Sequence, residues 1–138
     1  FGATRSISQT TARGYRRLIK AGIGGERSQV REAALAAGFV GPQAVSRQGE
    51  RIDRMIDVMI AELNRNDRFD FGDRRFVQTL TDDGTAVASD TAAWHIPSSD
   101  MLFVQRKVSG TALLAARLKA RVDIKGLVAP WIECPAGD

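Results

Sequence analysis

One continuous apolar stripe constrains the fold of this chain more than any other feature. Its side chains recur at i, i+3, i+4, i+7, i+8 and i+11, which places them on one face of an α-helix. Arg51, Asp53 and Glu62 lie off this face. Methionines in such a stripe are compatible with an adaptable binding groove, but we favour packing against a core. The stripe consists of Ile52, Met55, Ile56, Met59, Ile60 and Leu63.

Two more helices are predicted before this stripe. Ser8 can cap a helix over "SQTTARGYRRLIKAG", and we expect Gly22 to end it. The Ala-rich segment "GERSQVREAALAAG" predicts a second helix that ends at Gly38. Pro42 disfavours helix in the residue before it, so the chain is expected to break there.

The middle of the chain gives mixed signals. "NRNDRFDFGD" is rich in Asn, Asp and Gly and predicts a loop or short turn. In the next segment Phe76, Val77 and Leu80 fit a helix, whereas "TDDGT" fits a turn or a short hairpin. We interpret this segment as helical.

The last third predicts one long helix and one short one. Ser98 or Ser99 can cap the long helix, whose apolar pattern continues through "TALLAARL". Gly110 inside it would either kink the helix or permit close contact with a neighbour. Asp123 can cap the short helix over "DIKGLVAPWI", and we expect Pro130 to limit its extent.

These elements predict an all-α fold, a small irregular helical bundle formed by residues 1–138 as one domain. The 138 residues are 43% hydrophobic, which is sufficient for a core. We find no internal repeat, no convincing alternating strand and no apolar run approaching the roughly 20 residues that span a bilayer. The N-terminus has no signal-peptide pattern.

The tripeptide Asp70-Phe71-Gly72 matches the motif that holds magnesium in protein kinases. A kinase also needs a catalytic loop before this motif, and here an amphipathic helix precedes it. The chain's one histidine, His95, comes after it. We therefore interpret this tripeptide as a chance match, with Phe69 and Phe71 filling the core and Gly72 making a turn.

Three other features have a weak chemical signal. "GIGG" at residues 22–25 lacks the Gly-Lys-Ser/Thr of a phosphate-binding loop and is interpreted as a helix connection. His95 has no second His or Cys for a metal, so a structural role is favoured over a catalytic one. Cys134 is the one cysteine, which excludes an internal disulfide, and we interpret it as an ordinary thiol.

The positive charge is concentrated in the first half of the chain. Residues 1–66 contain 11 Lys/Arg and 6 Asp/Glu, whereas residues 67–138 contain 9 and 10. A basic half can face phosphates, acidic lipid or an acidic partner. The two signs alternate and form no dense block, so we favour a solvated helical surface.

The opening "FGATRSISQTTARGYRRLIKAGIGGERSQVREAALAAGF" resembles the segment that begins at the DFG motif of the UbiB/AarF family of atypical kinase-like proteins. In that family, DFG is followed by a small residue, a basic residue, a helix with Tyr-Arg-Arg-Leu and a second helix that ends in Gly-Phe. The matching residues are Phe1, Gly2, Arg5, Tyr15, Arg16, Arg17, Leu18, Gly38 and Phe39.

The segment 96–132 resembles the closing segment of the same family. There a proline precedes a helix with an apolar run, an arginine, a glycine and a Leu-rich turn. Residues 64–95 carry no match. The matching residues are Pro97, Met101, Leu102, Phe103, Arg106, Gly110, Leu114 and Leu118.

The resemblance implies that Phe1 and Gly2 are the last two residues of the true DFG motif, a remnant of a cofactor-binding site whose metal-binding Asp would precede Phe1. The chain, which does not begin with Met, would be the helical end of a kinase-like C-lobe and a scaffold without catalytic residues of its own. We hypothesise that Arg106 forms an internal ion pair in it.

For the parent protein, the resemblance implies an ATP- and Mg-dependent atypical kinase or ATPase linked to ubiquinone biosynthesis. It implies a cytoplasmic location, with membrane association through the parent. The expected partner is the rest of that protein, and a membrane surface or quinone-biosynthesis proteins are further candidates.

Two other interpretations remain open from the sequence. The chain could be a stand-alone basic helical module that binds nucleic acid or an acidic partner, although no recognition-helix pattern supports nucleic acid. It could also be a small helical enzyme built around Asp70 and His95. Salt-dependent binding would identify the first, and substitution of both residues would test the second.

Overall fold

A computed structural model describes residues 4–65 and 67–133, and it confirms the all-α prediction. Six α-helices and one short 3₁₀ turn account for most of this part of the chain, and two very short strands pair with each other. In chain order the elements are α1 (Gln9–Gly24), α2 (Arg27–Ala36), α3 (Pro42–Arg65), β1 (Phe69–Asp70), α4 (Arg74–Ser89), a 3₁₀ turn (Thr91–Ala93), α5 (Ser99–Arg117), β2 (Arg121–Val122) and α6 (Ile124–Ile132).

Side-chain caps begin the helices at the predicted positions. The Ser8 hydroxyl accepts a hydrogen bond from the Thr11 amide at the start of α1. Ser98 caps α5 in the same way, and the Asp123 carboxylate caps α6. Because these side chains satisfy amides that have no partner within the helix, they fix where each helix begins.

One predicted helix end is wrong. Gly22 does not end α1, which continues to Gly24 and is terminated by Gly25 in the left-handed region at φ 80°. A glycine alone does not stop a helix, whereas a left-handed one does. α6 ends at Ile132, which is the last residue of the predicted segment and lies two residues after Pro130. Pro130 lacks a backbone amide donor, but the loss of this one hydrogen bond does not end the helix.

The core lies along the predicted stripe of α3. Ile52 and Ile56 are buried with Ala44 of the same helix and Ala93 of the 3₁₀ turn. Met59 belongs to the same stripe but is 37% exposed, so only part of the apolar stripe is buried. The side chains that pack against this cluster belong to α2, α3 and α4: Val30, Val45, Ile60 and Val87.

Glu62 was expected to lie off the apolar face, and the structure buries it to 5% exposure. It lies seven residues after Met55, at the edge of the stripe, and Arg65 donates to its carboxylate at 3.2 Å. A buried charge needs such a partner.

The segment predicted as a loop contains β1, which pairs antiparallel with β2 through Phe69 opposite Val122 and Asp70 opposite Arg121. Phe69 is buried, and its ring lies 4.7 Å from that of Phe71, which confirms that Phe69 fills the core. α4 follows as one helix, so the helical interpretation of "TDDGT" is also confirmed.

The C-terminal helices leave apolar side chains in solvent. Leu113 and Leu114 of α5 and Leu118 directly after it are 58–70% exposed, although the sequence pattern suggested that they continue a packed face. Leu127 and Trp131 of α6 are 63% and 67% exposed. Among the described helices, none is both long and apolar enough to cross a membrane.

Candidate functional site

The kinase-like tripeptide serves as a turn. One carboxylate oxygen of Asp70 accepts from the Gly72 amide at 2.8 Å, and the other accepts from Arg121 Nε at 3.4 Å. One oxygen of Asp70 therefore holds the turn at Gly72, and the other contacts Arg121 of β2. Within residues 4–65 and 67–133, no cluster of three or more His, Cys, Asp or Glu side chains is arranged to hold a metal ion.

His95 packs against the loop between α2 and α3. Its Nε2 lies 3.1 Å from the Gly38 carbonyl oxygen, and its Cβ would be 2.9 Å from a Cβ built on Gly41. Trp94, its neighbour, donates from Nε1 to the Ala88 carbonyl and is 67% exposed. His95 and Asp70 have different neighbours, so the structure does not assemble them into one site.

We predict that Gly41→Ala destabilises the protein by about 1–3 kcal/mol, because a methyl group at this buried position overpacks against His95. Urea unfolding of the purified chain measures the loss. Gly24→Ala is the matched control, since Gly24 is exposed and a Cβ there meets nothing within 4 Å. Equal stabilities of wild type and Gly41→Ala would show that His95 is not held against this loop.

"GIGG" forms the end of α1 and its cap. Gly25 adopts the left-handed conformation and donates its amide to the Ala21 carbonyl at 3.1 Å. A helix C-terminus presents carbonyl oxygens and the negative end of the helix dipole, which disfavour a phosphate. The interpretation of this segment as a helix connection agrees with this geometry.

The segment before α1 is anchored to the first turn of α5. The Ser8 amide donates to Asp100 Oδ2 at 2.8 Å, and the Arg5 guanidinium lies 3.2 Å from Asp100 Oδ1. Arg5 also donates to the Ser99 hydroxyl at 3.0 Å. These contacts join positions more than 90 residues apart. We call this set, Arg5, Ser8, Ser99 and Asp100, the N-terminal junction.

About two turns further along α1, this helix and α5 meet in a more apolar contact. The Tyr15 hydroxyl donates to Met101 Sδ at 2.9 Å, and Met101 is only 3% exposed. The ring of Phe39 packs edge-on against Tyr15 at 6.3 Å. Partial burial raises the pKa of the Tyr15 hydroxyl, which remains a neutral donor. This contact continues the N-terminal junction into the interior.

The Ser8 amide, with further help from the Ser8 hydroxyl and from Arg5, holds the pKa of Asp100 below its ordinary value, against an opposing effect of desolvation. A carboxyl with a lowered folded-state pKa stabilises the fold above its unfolded pKa, near 4, and that contribution is lost as the pH falls. The junction is thus expected to weaken in acid and to hold at neutral pH.

We predict that Asp100→Asn lowers the melting temperature at pH 7 and that its deficit relative to wild type shrinks below about pH 4. Melting curves from pH 7 to pH 2.5 measure this. Asp82→Asn, a change at an exposed carboxyl of α4, removes the same charge and should show neither effect. A deficit that is independent of pH would contradict the assigned charge contact.

Most basic side chains of the first half face carboxylates. Asp83 is buried and accepts from both Arg51 and Arg54, and hydrogen bonds from Arg54 are the main cause of its lowered pKa. Asp90 accepts from Arg47, which likewise lowers the pKa of that carboxyl. Eight of the eleven Lys/Arg in residues 1–66 form ion pairs: Arg5, Arg17, Arg27, Arg31, Arg47, Arg51, Arg54 and Arg65.

The hypothesis of an internal ion pair at Arg106 is wrong for the part of the chain that the structure describes. Arg106 is exposed on α5, and none of the described carboxylates lies within 4.0 Å of it. The residue that does anchor this helix is Asp100, through its contacts with Ser8 and Arg5.

Three residues named from the sequence lie outside the described residues. These are Phe1 and Gly2, the proposed remnant of the DFG motif, and Cys134. The described chain nearest to Phe1 and Gly2 is the segment that the N-terminal junction holds. Sequence reasoning missed this junction because its partners are separated by most of the chain.

Comparison with known proteins gives no match: no protein-family model, no curated protein and no solved structure is significantly similar to this chain.

Proposed function

We propose that this chain is the C-terminal helical scaffold of a UbiB/AarF-like atypical kinase or ATPase and that it is not catalytic by itself. In this proposal the parent protein binds ATP and Mg²⁺ and supports ubiquinone biosynthesis. It is cytoplasmic, and any membrane association comes through the parent. The principal partner of the chain is the rest of that protein.

The N-terminal junction carries the proposal. The two sequence segments that resemble the family lie at opposite ends of the chain, and they contact each other through Ser8 and Asp100 and through Tyr15 and Met101. Their contact supports treating them as parts of one domain.

The junction also suggests what the scaffold does. Residues 5–8 are held by a charged hydrogen bond and an ion pair to α5, close behind Phe1 and Gly2. If a metal-binding Asp precedes Phe1, this anchor limits how far it can move. Fixing a catalytic group on a rigid support is a general way to preserve reactive geometry.

The nucleic-acid alternative is less well supported. A nucleic-acid surface needs Lys and Arg side chains that are free to face phosphates. Here the basic half of the chain has most of its guanidinium groups beside carboxylates. Three cations of this half, Arg13, Arg16 and Lys20 of α1, have no described carboxylate within 4.0 Å, and they form no dense basic block.

The proposal is tested by titrating MgATP into the 138-residue chain and into the longer gene product. We expect binding by the longer product and none by the chain alone. In the longer product Asp100→Ala should weaken MgATP binding, because it releases the segment behind Phe1, whereas Asp82→Asn should not. MgATP hydrolysis by the chain alone, or steeply salt-dependent binding of duplex DNA, would contradict the proposal.

A further inference from the structure

The outward side of α5 carries rows of exposed and half-buried side chains along the helix. Residues eleven positions apart are separated by three turns and only about 20°, so they lie nearly in line. Leu102 and Leu113 form one such row, and both are exposed. Phe103, which is half-buried, and Leu114, which is exposed, form a second row. The basic residues between the two rows are Arg106 and Arg117, both exposed.

Gly110 lies at the centre of this surface. Glycine is the least favourable residue in a helix interior apart from proline, yet α5 passes through Gly110 without interruption. A Cβ built there meets nothing within 4 Å, so no described neighbour requires the glycine. An exposed glycine between bulky side chains lets a second helix approach closely. We call Gly110 and the three rows around it the outer face of α5.

The charge of this region is of one sign. Residues 101–120 contain four Lys/Arg and no Asp or Glu, and none of the four cations has a described carboxylate within 4.0 Å. Exposed leucines beside uncompensated cations fit a partner that has both apolar and acidic side chains. A second copy of α5 would bring like charges together and is disfavoured for that reason.

The order of the rows argues against a membrane surface. A helix that lies in a bilayer interface keeps its apolar residues in the middle of the buried face and its basic residues at the sides. On α5 the order is reversed, because Arg106 and Arg117 lie between the two apolar rows. Insertion of the leucines into a bilayer would carry the guanidinium groups of Arg106 and Arg117 into its apolar layer. In a complex with a protein helix, carboxylates could pair with these groups.

We propose that the outer face of α5 docks an acidic amphipathic helix supplied by the part of the same polypeptide that precedes Phe1. The apolar side chains of that helix cover the two leucine-containing rows, its carboxylates meet Arg106 and Arg117, and the two helices cross at Gly110. This inference rests on the proposed function, which places a larger protein before Phe1.

The test is hydrogen exchange of the α5 amides in the longer gene product and in the 138-residue chain. We expect exchange in the longer product to be slower by about tenfold or more, since docking suppresses local opening. Gly110→Leu in the longer product should abolish this protection. Gly24→Leu, which fills a second exposed helical glycine, should leave it intact.

Charge reversal gives a second test that does not depend on packing at the glycine. Arg106→Glu with Arg117→Glu should abolish the protection of α5 in the longer product. Arg13→Glu with Lys20→Glu makes the same change in net charge on α1 and should preserve it. Protection that survives both Gly110→Leu and the α5 charge reversal would overturn the docking proposal.

Other occupants would give different results. Concentration-dependent dimerisation of the 138-residue chain that Gly110→Leu abolishes would mean a second copy. Cosedimentation with phosphatidylglycerol vesicles that the α5 charge reversal abolishes would mean a membrane. Either result overturns the proposed occupant. If the upstream sequence is kinase-like and α5 remains unprotected, the docking inference alone fails; an upstream sequence without kinase features removes the proposed function itself.

Discussion

Met101→Ala is expected to destabilise the 138-residue chain by about 2–5 kcal/mol, the range for removing a fully buried large side chain. Met101 is 3% exposed, and its sulfur accepts the Tyr15 hydroxyl at 2.9 Å. The substitution removes buried apolar surface and also leaves a half-buried hydroxyl without its partner. Urea unfolding followed by circular dichroism gives the change in free energy.

Leu113→Ala is the control for this prediction, because it shortens a side chain of the same helix that is 67% exposed. We expect a change within about 0.5 kcal/mol, as for other surface substitutions. If Met101→Ala were as mild as Leu113→Ala, the contact of Met101 with Tyr15 would not hold α5 against α1, contrary to the structure.

Ile56→Ala is expected to cost about 2–4 kcal/mol, because it opens a cavity at the centre of the core cluster. Ile56 is 9% exposed and packs with Ile52, Ala44 and Ala93. Met59 lies on the same predicted stripe but is 37% exposed, so Met59→Ala should cost less than about 1.5 kcal/mol. Equal losses at the two positions would mean that the whole stripe is buried, contrary to the structure.

The helices could be predicted from sequence because their signals are local. The period of the apolar residues identifies α3, and the side chains of Ser8, Ser98 and Asp123 mark helix starts through bonds that span three residues. Helix ends were less predictable. Gly22 and Pro130 are both tolerated within helices, because losing one favourable residue does not outweigh the bonds of the adjoining turns.

The parts that sequence could not predict depend on distant partners. β1 and β2 have two residues each, too few for an alternating pattern, and they form because the chain returns to Phe69 after α5. Asp100 gives only a local helix-start signal, and its bond to Ser8 spans 92 residues. The exposure of Leu113 and Leu114 could not be predicted either. The sequence pattern shows which residues are apolar, but it does not show which helix faces are covered by other elements.

The measurement that tests the central claim most directly is the sequence of the coding region immediately upstream of Phe1. The account predicts an Asp codon directly before Phe1, codons for a catalytic Asp and Asn somewhat earlier, and a codon for a phosphate-binding Lys well upstream. That result would make Phe1 and Gly2 the end of a true DFG motif. An initiator codon or a signal sequence directly before Phe1 would contradict the account, because the scaffold would then have no catalytic part to support.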